Sequence, residues 1–136
     1  MKTLNLLLGA AALALFAGPA FAASFGDGAI MSESMGGKDV LTDAKGMTLY
    51  IYDKDTTGVS NCYDKCAVNW PPLMASDGAT ADGDFTLVDR TDGGKMWAYK
   101  GWPLYLWVKD AKPGDMTGDG VGGVWHTAYE GMDGAM

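Results

Sequence analysis

The chain has 136 residues, 48% of them hydrophobic and 11% aromatic, with a formal net charge of −7 at pH 7. That apolar content excludes a disordered polymer and suits one small packed domain. The acidic balance repels nucleic-acid backbones and anionic membrane surfaces, so no nucleic acid is expected as a partner, while a cationic protein or metal ion is compatible with it.

The opening stretch "MKTLNLLLGAAALALFAGPAFA" reads as a secretory signal peptide over 1–22. Lys2 supplies a positive start, Leu4 to Phe16 an apolar core, and Ala20-Phe21-Ala22 a small-x-small site cleaved after Ala22. The apolar core is short for a bilayer span and no second candidate follows it, so no transmembrane segment is expected after cleavage. No lipobox cysteine stands at the cleavage point. The expected address is periplasmic or secreted, with residues 23–136 as the mature domain.

The mature part repeats itself. At an offset of 55, Gly46 falls on Gly101, Leu49 and Tyr50 on Leu104 and Tyr105, Tyr52 on Trp107, Asp55 on Asp110, and Trp70 on Trp125. The repeats run from about 29 to 75 and from about 84 to 130. Each unit predicts three strands: Ile30 to Ser34, Val40 to Thr42 and Thr48 to Tyr52, then Phe85 to Val88, Met96 to Tyr99 and Leu104 to Trp107. Lys-Gly at 45–46 and 100–101 supplies the positive φ of a tight turn, and Pro103 sits at a strand start, where a missing N–H is tolerated. No segment carries a sustained helical period. The prediction is an all-β fold: a small single domain of two pseudo-symmetric three-stranded units with long Gly/Asp-rich loops.

In the third strands, Leu49 and Ile51 face away from Tyr50 and Tyr52, as Leu104 and Leu106 do from Tyr105 and Trp107. A sheet buried on both sides explains this, with the tyrosine hydroxyls reaching polar partners. An aromatic platform for a flat ligand explains it too. Asp55 and Asp110, just beyond the strands, suit turn caps that accept backbone N–H groups.

The first repeat holds the only two cysteines, Cys62 and Cys66. In an exported chain a disulfide is the default. An extended "CYDKC" would hold the Cα atoms roughly 13 Å apart, beyond the limit of about 7 Å, so it must curl into a turn or one helical turn. Trp70-Pro71-Pro72 is expected to pack its indole against that bridge and stiffen the exit from the loop.

Tyr50-x-Tyr52-x-x-Asp55 and Tyr105-x-Trp107-x-x-Asp110, with "SNCYDKCAVNWPPL" (60–73), "RTDGGKMWAYKGWPLY" (90–105) and "PGDMTGDGVGGVWHTA" (113–128), resemble the bacterial secreted repeat proteins often labelled predicted lipoproteins with a Yx(FWY)xxD motif. The resemblance covers nearly all of the mature chain. It implies export and a repeated fold unit, and it brings no biochemical activity with it. Many such relatives are lipid-anchored, whereas this chain has no cysteine directly after its expected cleavage site.

The chemistry-bearing residues are few. His126 is the only histidine, and with nine methionines it suggests a copper site or an electron-transfer role, beside the plainer role of a hydrogen-bonded structural histidine. Asp115 and Asp119 in "GDMTGDGVGG" suit calcium, although the EF-hand register fails because His126 falls where the bidentate Glu belongs. No Gly-x-Ser-x-Gly elbow is present. The sequence therefore points to an exported, non-enzymatic binding or interaction domain with no required cofactor. Its partner is a periplasmic protein or small ligand, and the candidate binding residues are Tyr50, Tyr52, Asp55, Tyr105, Trp107 and Asp110. The alternatives are a copper-binding or electron-transfer accessory using His126, and a calcium-stabilised structural module.

Overall fold

A computed structural model describes residues 21–133. The predicted signal segment up to residue 20 lies outside them. The described residues form eight short strands and one five-residue helix, with strands arranged in three small antiparallel sheets. The all-β expectation holds. The helix α1 (Lys65–Asn69) contains Cys66 and is the local turn required by the Cys62–Cys66 disulfide, whose Cα atoms are 5.2 Å apart.

The repeats superpose in register, with one compensated slip. In the first, β2 (Ile30–Met35) and β3 (Lys38–Asp43) pair from Ile30↔Asp43 to Met35↔Lys38, closed by Gly36-Gly37. Both glycines have positive φ (59° and 83°), the geometry of a two-residue hairpin turn. In the second, β5 (Phe85–Asp89) and β6 (Lys95–Tyr99) pair from Phe85↔Tyr99 to Asp89↔Lys95. The Arg90 N–H extends this ladder to the Gly94 carbonyl, so Thr91, Asp92 and Gly93 form a longer loop and Arg90 takes the place of Met35. The extra residue moves β6 one position late, with Tyr99 answering Asp43. The next turn restores the register: β3 returns through Ala44-Lys45-Gly46, β6 through Lys100-Gly101 alone into β7 (Trp102–Pro103). Leu49 and Leu104 are then equivalent again.

Beyond these leucines the repeats exchange partners. β4 (Tyr50–Tyr52) pairs with β8 (Trp125–Thr127) from the end of the second repeat. Reciprocally, residues 104–108 lie along 69–73, with Leu106 N–H to Pro71 O at 2.8 Å, Val108 N–H to Asn69 O at 3.1 Å and Leu73 N–H to Leu104 O at 2.9 Å. Asp53 N–H to Val124 O and Ala128 N–H to Leu49 O are the counterparts of the last two. Pro71 and Pro72 stand where His126 and Thr127 stand in the other half, and they accept but cannot donate. The strand expected over Leu104 to Trp107 is consequently reduced to isolated bridges at Tyr105, and the regular strand lies earlier, in β7. On the pseudo-twofold axis, Tyr50 and Tyr105 exchange both backbone hydrogen bonds, at 2.8 and 2.9 Å.

The first strand of the chain, β1 (Phe21–Phe25), is absent from the sequence expectation because it starts inside the predicted signal. It pairs with β2, placing Ala23, Ser24 and Phe25, which lie beyond the expected cleavage site, opposite Ser32, Met31 and Ile30. Phe25 then stacks on Phe85 of the second repeat at 4.4 Å.

The alternation read from the third strands sorts the core. Leu49, Ile51 and Leu104 join Ile30, Leu41, Phe85 and Trp97 in one cluster. Tyr50 and Tyr105 join Trp70, Trp125, Met96 and Cys62 in the other. Trp70 and Cys62 belong to the same cluster, with Cys66 packed against it.

Candidate functional site

Of the six candidate binding residues, four are sealed inside the domain. Tyr50 and Tyr105 are 0% exposed, Asp55 2% and Asp110 8%. The pairing crosses between repeats: Tyr50 donates its hydroxyl to Asp110 Oδ2 at 2.6 Å, and Tyr105 donates to Asp55 Oδ2 at 2.7 Å. The other carboxylate oxygens take the expected backbone caps, Asn61 N–H to Asp55 Oδ1 and Thr117 N–H to Asp110 Oδ1. These residues fasten one repeat to the other and hold the two loops that follow the aspartates. A ligand cannot reach them, because each buried polar atom is already engaged within the core.

Tyr52 and Trp107, both half-buried, end a continuous aromatic column. Tyr52 stacks on Trp125 at 4.2 Å, Trp125 on Trp70 at 3.8 Å and 3° between planes, and Trp70 on Trp107 at 3.9 Å. Tyr50 meets Trp70 edge-on and Tyr105 meets Trp125 in the same way. The pseudo-twofold axis passes between the two central indoles. The aromatic side of the third strand is therefore an internal column, not an open platform.

The Asp55 side carries an extension that the Asp110 side lacks. Arg90 Nη1 donates to Ser60 Oγ at 3.0 Å, and Ser60 Oγ lies 2.6 Å from Tyr105 OH. Because the Tyr105 hydrogen goes to Asp55, the serine hydroxyl donates to Tyr105. Arg90 Nη2 also donates to Cys62 O at 3.0 Å, its outer edge pairs with Asp92, and the guanidinium sits 4.3 Å from the centre of the Tyr63 ring. Burial pushes the Asp55 carboxyl up to about 6, against the hydrogen bonds from Tyr105 and Asn61 and the positive charge of Arg90, which favour the ionised form. Burial likewise raises the Tyr50 and Tyr105 phenols above their ordinary value, assisted by the neighbouring carboxylates.

A groove of about 600 Å³ opens between the β2–β3 hairpin end and the loop after Asp110. Met35, Gly36, Lys38 and Val40 line it from the hairpin, Met116 and Asp119 from the loop, and Ile51, His126, Thr127, Tyr129 and Gly131 to Asp133 complete the lining. His126 Nε2 lies 2.8 Å from Asp53 Oδ2. Asp53 Oδ1 and Thr127 Oγ1 are buried without a hydrogen-bond partner. Asp53 was missed in the sequence because its counterpart is Val108, and only the β4–β8 register places it beside His126. The methionines were equally silent: Met35 and Met116 are far apart in the chain and meet only across the groove.

The residues suited to calcium do not assemble one site. The Asp115 carboxylate is held by Lys112 Nζ at 2.9 Å and by the Ala111 and Lys112 N–H groups, which keep it below the usual carboxylate range. Asp119 Oδ1 accepts the Thr127 N–H at 2.9 Å. Among the described residues, no three His, Cys, Asp or Glu side chains gather to hold a metal ion.

The chain matches, at residues 33–74 and again at 86–129, a family described as a secreted repeat of unknown function. No curated protein and no solved structure matches it. No helix among the described residues is long and apolar enough to cross a membrane. The two matched segments contain the two exchanged halves of the domain, and the chain belongs to this family of secreted repeats, two copies of which fold here into one body.

Proposed function

We propose that the chain is an exported, non-enzymatic binding domain whose site is the groove between the β2–β3 hairpin end and the loop after Asp110. The observation that carries this reading is the break in symmetry. Two halves that agree in register, in the Tyr–Asp cross-links and in the aromatic column differ here, where one end is filled by Arg90 and the other is open. The remainder of the repeat is committed to holding the fold. Both cysteines are in the disulfide and the hydrogen-bond partner of His126 is Asp53, so neither supports a nucleophile–base pair. The signal-like start supports delivery to the periplasm or beyond, with removal of residues up to Ala22.

The test is a fragment screen followed by amide correlation spectra of the labelled protein. Perturbations should cluster at Met35, Val40, Ile51, Thr127 and Tyr129, and should spare the Arg90 end. Hits that cluster elsewhere, or scatter, overturn the reading.

One observation favours a second reading, a soft metal ion such as Cu(I). His126 lines the groove together with Met35, Met116 and Met132, residues of the types that bind a soft ion. With Asp53 accepting the Nε2 hydrogen, Nδ1 presents a lone pair, as in carboxylate-oriented metal-binding histidines. Competition against a Cu(I) chelator, for the parent chain and His126→Ala, decides it. Equal affinities would dismiss copper.

A further inference from the structure

The filled half describes what the open half lacks. In the second half, the hairpin end and the loop after Asp55 are tied together by the Arg90 side chain, which is 1% exposed. Its guanidinium finds a hydroxyl (Ser60), a carbonyl (Cys62), a carboxylate (Asp92), a thioether (Met96) and an aromatic face (Tyr63). In the first half the equivalent hairpin end carries Met35, and the groove lies between it and the loop after Asp110. We propose that this groove receives an arginine side chain from a cationic peptide segment of a partner protein, in the place that Arg90 fills in the other half.

The inference rests on the groove being the binding site and adds the chemistry of its occupant. The groove is lined by some of the same kinds of groups. Thr127 is among them, with its Oγ1 buried and unpartnered. Asp119 and Asp133 line it with exposed carboxylates, and Tyr129 contributes a half-buried ring. Lys38 is its one lining cation, and the Lys38 ammonium already lies 4.2 Å from the centre of the Tyr129 ring. A planar guanidinium uses a carboxylate, a hydroxyl and an aromatic or thioether wall together, which a compact ammonium does not. The overall charge of −7 favours approach of a cationic segment.

The experiment uses the exported protein and three peptides, acetyl-Gly-Arg-Gly-amide and its citrulline and lysine analogues, followed by amide correlation spectra. The arginine peptide should perturb Met35, Asp119, Thr127 and Tyr129, and bind at least tenfold more tightly than the citrulline peptide. Met35→Arg should fill the groove from within and abolish that binding while retaining the native circular dichroism and melting temperature. If Met35→Arg does not fold, Asp119→Asn with Asp133→Asn must weaken the arginine peptide at least fivefold. Equal binding of arginine and citrulline, or binding unaffected by the folded variant, overturns the guanidinium proposal. Fragment hits in the groove together with a silent arginine peptide would refute this inference and leave the groove as the site.

Discussion

Tyr50 donates its hydroxyl to Asp110, 60 residues later, at 2.6 Å, and Tyr105 returns the arrangement to Asp55. The two bonds, with the Tyr50–Tyr105 backbone exchange between them, join the repeats at their pseudo-symmetry axis. Removing one phenol leaves a buried carboxylate short of a donor, which costs more than the net value of an ordinary hydrogen bond. Tyr105→Phe and Tyr50→Phe should each lower the unfolding free energy by about 2 kcal/mol, read from urea midpoints at constant m-value. In a cycle with Asp55→Asn, the Tyr105→Phe change should show a coupling of about 1 kcal/mol. A loss below about 0.5 kcal/mol would mean that the cross-link adds no net stability.

Much of this architecture was legible in the residues because it follows local rules. Gly46 and Gly101 mark turns, Leu49/Ile51 and Tyr50/Tyr52 alternate, and the matching Asp55 and Asp110 imply matching caps. What escaped is non-local. The Tyr–Asp bonds cross from one repeat to the other, which an offset cannot distinguish from bonds within each repeat. β8 was hidden because its counterpart, Trp70-Pro71-Pro72, reads as a loop. The groove was invisible for a related reason: it is defined by a contrast between Met35 and Arg90, and those residues align only after the register of β2 and β5 is known.

The pH dependence of stability follows from Asp55. Its folded-state value of about 6 lies above the reference of 3.8, so the native state holds the extra proton between those limits. The stabilisation associated with that proton is complete below the reference value and is lost as pH rises through about 6. Asp92 and Asp115, held low by Arg90 and Lys112, act in the opposite sense, losing stability as pH falls. The Asp55 contribution is therefore read as a difference. The parent chain minus Asp55→Asn should decline in unfolding free energy from pH 4 to about 6.5, within a window set by the two values above. A flat difference would refute the buried carboxyl.

At the alkaline end, Tyr50 and Tyr105 ionise above the reference of 10.0, so stability is lost as pH rises past the unfolded value. Tyr50 and Tyr105 should therefore add their phenolate absorbance in a step that coincides with unfolding, and Tyr105→Phe should make that step smaller. A step that Tyr105→Phe leaves unchanged would contradict the burial of this phenol.

The disulfide closes a short loop, with a sequence separation of 4. Chain-entropy arguments give about 2 kcal/mol for so small a ring. Cys62→Ala with Cys66→Ala should therefore lower stability by about that amount and leave the fold cooperative, because the Asn61 N–H remains capped by Asp55 and Arg90 still binds the residue-62 carbonyl. Urea denaturation of the paired variant checks both statements. A loss of native circular dichroism before any denaturant is added would show that the bridge holds the entire domain.

The aromatic column offers the most direct optical test. Trp70 and Trp125 are stacked at 3.8 Å with 3° between their planes, close enough for their transitions to couple. Each also stacks on an outer ring, Trp107 or Tyr52, so a single replacement interrupts the column at its centre. Trp70→Phe, which removes the indole common to the Trp125 and Trp107 stacks, should abolish the exciton couplet in the far-ultraviolet circular dichroism, whereas Trp125→Phe should leave the part that comes from Trp70 and Trp107. Replacing a buried indole by the smaller ring leaves a partial cavity, and the expected loss is about 2 kcal/mol, below the range of about 3–5 for complete truncation to alanine. By pseudo-symmetry the two variants should agree within about 0.5 kcal/mol. A couplet that survives Trp70→Phe unchanged would place the indoles apart and remove the column from the core.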